Sequence, residues 1–139
     1  MREIVRLLRR IDKRIIVIET SGYFLCRFFV KLDMPIIDIN SLKAVERLPG
    51  WRGRYFHSQH MTFAHYEFKA GASIHEHSHP QEEVYEVIDG ALELTIDGKL
   101  QIAKPGVVAI IPSNARHSVK ALSDGRVIVV DYPSRPEFG

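Results

Sequence analysis

Three of the chain's seven histidines fall within five positions, as His75, His77 and His79 in GASIHEHSHPQEEVYEVIDG, residues 71–90. Two carboxylates, Glu82 and Glu83, follow at once. Imidazole and carboxylate are the donors that borderline transition metals favour. In an extended chain, side chains two apart share a face and sit about 6.6 Å apart along the backbone. His77 and His79 therefore project into the same space. After a turn at Pro80-Gln81-Glu82, Glu83 can return to that space from the next strand, while Glu82 points the other way and is solvated. His117, which opens a later strand in IIPSNARHSV, is a distant candidate for a third imidazole. The alternation by itself fits a solvated strand face equally well. His57, His60 and His65 have no partner at a useful spacing and read as ordinary satisfied or exposed residues.

The elements that must hold these groups read as β-strands. From about Met61 onward, MTFAHYEF, ASIHEHSH, VYEVI, ALELTI, KLQIA, VVAIIP, HSVKAL and VIVVDY are short runs rich in branched and aromatic residues. Turn signals separate them at Ala70-Gly71, Asp89-Gly90, Asp97-Gly98, Pro105-Gly106, Pro112 to Asn114 and Asp124-Gly125. ALELTIDGKLQI predicts a tight hairpin, because Leu92, Leu94 and Ile96 alternate with Glu93 and Thr95 and Asp-Gly accepts positive φ. Closely spaced strands without helices between them predict a sandwich or barrel. One short helix is expected near Ser41 to Leu48, with Ser41 capping SLKAVERL.

Size and composition bound the rest. A chain of 139 residues with 45% hydrophobic content makes one domain with a genuine core. The net charge of +2 is unevenly spread. Residues 1–33 carry eight Lys/Arg against four Asp/Glu, and residues 34–139 carry eleven against thirteen. The main domain thus lacks the basic stripe that nucleic-acid binding needs, and nucleic acid is excluded as a partner. The single cysteine, Cys26, excludes an intrachain disulfide framework and suits a reducing, cytoplasmic compartment. No segment reads as a signal peptide. The apolar run at 15–30 carries Glu19 and Arg27 and is too short to span a bilayer, so no membrane association is expected. That run reads as a strand pair or a buried helix, and MREIVRLLRR as a basic helix or a solvated start. Residues 1–33 are therefore an N-terminal extension or an upstream start-codon choice, and residues 34–139 the main domain.

The residues framing the histidines match a known pattern. Gly71, five residues, His77, one, His79, three, Glu83, six, Gly90 resembles the first signature of the cupin superfamily at every position. The second signature is similar to Gly106, Pro112, Asn114, His117 and Ala121, in the right spacing with two substitutions. Asn114 stands where the family has glycine, and Asn tolerates the left-handed conformation. Ala121 stands where the family has an Asn that is not a metal ligand. The resemblance covers roughly residues 36–136. It implies an all-β cupin jelly-roll barrel in which His77, His79, Glu83 and His117 hold one divalent transition metal, whether Fe, Mn, Ni, Co, Zn or Cu. His75 then either orients a ligand or sits at the barrel mouth.

Three functions follow from that resemblance. One is an enzyme using the metal as Lewis acid on a small hydroxy-carbonyl or sugar-acid substrate. A second is a metal-dependent dioxygenase, and a third a non-catalytic barrel for a small ligand. The closing segment VIVVDYPSRPEFG and the stretch beginning Trp51-Arg-Gly resemble the single-domain cupins that linearise unsaturated uronates from pectin and alginate breakdown. In that enzyme an inward Asp and a later Arg serve the substrate. Aligned on Pro133, the Arg is Arg135. The Asp position is Val129, and the acid appears two residues later as Asp131. That enzyme also has Gln at the position of Glu83. Strand alternation puts Val127, Val129 and Asp131 on one face, with Arg135 able to reach back to Asp131. The implied roles are proton transfer for Asp131 and recognition of a substrate carboxylate for Arg135. Pairing through edge strands or the N-terminal extension implies a homodimer.

Overall fold

The computed structural model describes residues 36–138, so the expectations for residues 1–33 lie outside the described residues. Ten strands form two antiparallel sheets. In chain order they are β1 Val45–Leu48, β2 Trp51–His57, β3 Thr62–Phe68, β4 Ser73–His77, β5 Glu82–Asp89, β6 Leu92–Ile96, β7 Lys99–Ala103, β8 Val108–Ile111, β9 His117–Ala121 and β10 Gly125–Tyr132. The larger sheet has the order β1-β2-β3-β10-β5-β8, and the smaller β4-β9-β6-β7. Short 3-10 turns at Ile39–Ser41 and Pro136–Phe138 are the only helical elements among the described residues. None of these is long and apolar enough to cross a membrane.

All eight runs read as strands from Met61 onward are strands, and the alternation within them decides what is buried. Val127 and Val129 of β10, Leu92 and Leu94 of β6, Tyr85 and Val87 of β5 and Val119 of β9 face inward between the sheets. Trp51 and Phe68 close one end of this core with rings 5.4 Å apart. The β6–β7 hairpin turns at Asp97 (φ 45°) and Gly98 (φ 76°), with Ile96 opposite Lys99, as the Asp-Gly pair predicts.

The helix expected over Ser41 to Leu48 is not there. The 3-10 turn ends at Ser41 and is capped by Asp38, whose carboxylate accepts from the Asn40 N–H, and Val45–Leu48 pairs with β2 as a strand. SLKAVERL has good helix propensity, but only Leu48 of this stretch packs against the core. A helix here would bury no stripe, whereas the strand gains a ladder with β2.

Candidate metal centre

Four elements meet at one end of the barrel. His77 ends β4, His79 lies two residues beyond it, Glu83 is the second residue of β5, and His117 opens β9. His77 and His117 are direct partners across the β4–β9 pair, with ring centroids 4.2 Å apart. The rings of His79 and His117 are 5.1 Å apart, edge to face. One ligand-type nitrogen from each of His77, His79 and His117 lies within 4.8 Å of the others. Asp131 sits opposite Glu83 on β10, and its carboxylate comes within 4.8 Å of donor atoms on His79 and Glu83.

Local structure explains the convergence. Strand β4 carries a bulge between Ile74 and His77, where His75 and Glu76 together oppose Ser118 of β9. The bulge lets Ile74 pack on the core while His77 also faces the site. His75 stays outside the donor cluster, with its ring 6.1 Å from that of His77. The His75 side chain is exposed at the cavity wall, and its backbone carbonyl is what touches a ligand candidate. His79 is fixed by Asn114, which adopts φ 63° as the motif requires and donates its N–H to the His79 carbonyl at 2.8 Å. The start of β9 is fixed by the hairpin turn, since Asp97 exchanges two hydrogen bonds with the Arg116 backbone.

The protonation pattern is set by backbone carbonyls. His77 Nδ1 and His117 Nδ1 each lie 2.9 Å from a carbonyl oxygen, of His75 and Ala115 respectively. A carbonyl only accepts, so Nδ1 carries the hydrogen and the neutral ring presents a bare Nε2 to the centre. His117 Nε2 is 3.1 Å from Glu83 Oε2, and His79 Nε2 is 3.5 Å from the same oxygen. All three atoms are buried without a hydrogen-bond partner. A buried carboxylate oxygen facing two ring nitrogens costs several kcal/mol unless a proton or a metal cation lies between them. The donor set therefore fits a divalent transition metal. Burial pushes the Glu83 carboxyl up, but the His117 and His79 imidazoles more than reverse this and hold it at about 2. Burial pushes His117 down, and the Glu83 carboxylate and Ala115 carbonyl outweigh that and hold it above its ordinary value. Burial holds His77 below its ordinary value.

Asp131 and Arg135 are not a frayed tail. Asp131 is only 2% exposed. Burial first, and the Glu83 charge second, raise its carboxyl to about 6, with Arg135 opposing. The Arg135 backbone N–H donates to the buried Thr62 hydroxyl at 2.7 Å, which pins the segment to β3. Its Nη1 lies 3.5 Å from Asp131 and 4.0 Å from Glu83, and its Nε donates to Glu137 at 3.0 Å. Beside the cluster is a cavity of about 310 Å³, walled by Trp51, Tyr66, Tyr85 and Phe138 and bordered by His77, Glu83, Arg135 and Arg47. Arg47 is a wall residue that the helical reading of SLKAVERL hid, and the V-E-R-L stretch offers only weak alternation to reveal it. His57, His60 and His65 stay outside the site; His57 is paired with the Thr62 hydroxyl and His65 lies beside Phe56.

Comparison with known proteins supplies the family. Residues 64–132 match the cupin domain model. The domain is a cupin. The cupin fold also extends to solved structures at low identity. One is an RmlC-like cupin from Shewanella frigidimarina, at 19% identity and TM-score 0.68, covering 72% of this chain and 91% of that one. Another is KdgF from a Halomonas species, at 23% identity and TM-score 0.68, covering 72% and 95%. A third is oxalate decarboxylase from Bacillus subtilis, a protein with Mn(II) centres, at 22% identity and TM-score 0.64, covering 74% of this chain and 30% of that one. No curated protein sequence matches this cupin.

Proposed function

We propose that this cupin is a metal-dependent enzyme acting on a small hydroxy-carbonyl or sugar-acid substrate. His77, His79, Glu83 and His117 would hold one divalent transition metal. The observation that carries the reading is the 3.1 Å approach of the bare His117 Nε2 to Glu83 Oε2, both buried and unpartnered. Such a metal, when bound, supplies Lewis acidity toward a substrate oxygen. The chain's own residues supply the rest. Asp131, held close to its point of titration near neutrality, takes or gives a proton beside the cluster. Arg135 keeps that carboxylate in place and offsets the charge of Glu83. The aromatic walls give the cavity an apolar lining beside the cluster.

The resemblance of the closing segment to uronate-linearising cupins supports a sugar acid as substrate class, and an oxalate-acting neighbour supports a small acid more generally. The functional unit is the domain from about residue 34, a homodimer in the cytoplasm. Strand β8 supports the dimer, as a sheet edge that leaves Val108 and Ile110 54% and 59% exposed. Elemental analysis of the purified protein tests the reading. The expected result is one transition-metal ion per chain, and a protein that neither carries nor takes up such an ion would refute it. A redox-active ion would direct the assay to dioxygenase chemistry, and zinc or nickel to Lewis-acid chemistry.

A further inference from the structure

Two guanidinium groups border the cavity, and their surroundings differ. Arg135 faces three carboxylates of its own chain, Glu137 at 3.0 Å, Asp131 at 3.5 Å and Glu83 at 4.0 Å. Its charge is already offset by neighbours. Arg47 has no carboxylate within 4.0 Å among the described residues. Its one hydrogen bond there runs from Nη1 to the Glu137 backbone carbonyl at 2.9 Å. Its guanidinium lies over the rings of Tyr55 and Phe138, 4.9 and 5.0 Å from their centroids, and those two rings are themselves stacked 5.4 Å apart. The stack orients the planar fork while leaving in-plane N–H donors unspent, since a guanidinium has five. An oriented, uncompensated cation at the wall of a largely aromatic cavity is a receptor for an anion.

We propose that Arg47, rather than Arg135, receives the carboxylate of the substrate. The cavity then takes a small hydroxy or keto acid lengthwise, with the acid group at the Arg47 and Phe138 wall and an oxygen function toward the imidazole cluster. A cavity of about 310 Å³ suits a molecule the size of one sugar unit. The inference rests on the proposed function for the orientation of the substrate, but its carboxylate contact does not depend on the metal.

The chain's only tryptophan, Trp51, lines the same cavity, so its emission reports occupancy. Titrations with D-galacturonate and D-galactose compare two probes that differ by a carboxylate. They are run on wild type, Arg47→Met and Arg47→Lys, with metal content measured on each sample. The wild type is expected to prefer the acid by at least about tenfold, one charge-assisted contact's worth. Arg47→Met should lose that preference, and Arg47→Lys should keep only part of it because a point charge cannot reproduce the fork. Metal content should not change across the three. A wild type with no preference for the acid, or with no measurable binding of it at millimolar concentration, overturns the inference. So does an Arg47→Met protein that retains the preference. A metal-free protein that still shows an Arg47-dependent preference would defeat the metal reading and leave this inference standing.

Discussion

At the residue scale, the informative contact is one that calls for a cation. With its hydrogen held on Nδ1 by the Ala115 carbonyl, neutral His117 presents Nε2 as an acceptor 3.1 Å from Glu83 Oε2 in a buried site, and a proton on Nε2 or a metal ion between the two relieves the contact. Removing one donor should weaken the metal site far more than the barrel. His79→Ala is expected to bind no stoichiometric metal while its far-UV circular dichroism remains that of the wild type. Asp131→Asn is expected to retain metal and fold, and to lose on the order of a hundredfold or more in turnover once a substrate is assayed. Equal turnover in that variant would remove Asp131 from the chemistry. Of the four proposed ligands, strand alternation and a tight turn made only the approach of His77, His79 and Glu83 legible, and His117 joined them through the resemblance to the cupin signatures. Arg47 was not, because its place at the cavity wall depends on β1 pairing with β2, which local propensity opposes. The partners of Arg135 were only half visible. Asp131 lies four residues away, but Glu83 reaches it across two strands.

Individual elements show which sequence signals were sufficient. Asp97-Gly98 fixed a hairpin unaided, because positive φ at both central residues admits few alternatives. The bulge in β4 was invisible, since one extra residue in a polar run leaves no mark on the alternation. The framing glycines also differ in what they require. Gly71 has φ +83° and open space around a Cβ position, whereas at Gly90, with φ +78°, a Cβ would lie 2.3 Å from the Asp124 backbone oxygen. Gly71→Ala should therefore cost about 1 kcal/mol of backbone strain, and Gly90→Ala distinctly more, because the Asp124–Gly125 turn must also move. Chemical denaturation of the two variants checks the order, and equal losses would contradict the steric account. In β6, Leu94 is fully buried, and Leu94→Ala should cost about 2–5 kcal/mol by the same measurement.

For the whole molecule, the count and spacing of strands narrowed the fold to a sandwich or barrel, the resemblance to the cupin signatures implied the jelly roll, and each sheet contributes part of the centre. His77 and His117 come from the smaller sheet, Glu83 and Asp131 from the larger. The exposed β8 edge predicts self-association, so Ile110→Glu should lower the solution mass measured by light scattering from dimer toward monomer. A wild type that is monomeric at micromolar concentration would refute this. The central claim is that one divalent ion sits among His77, His79, Glu83 and His117, and native mass spectrometry of the whole protein tests it most directly. After incubation with manganese, iron, cobalt, nickel, copper or zinc and removal of the excess, the wild type should carry the mass of one ion per chain, and His79→Ala should carry none. A wild type whose mass is that of the bare polypeptide with every one of these ions would contradict the account.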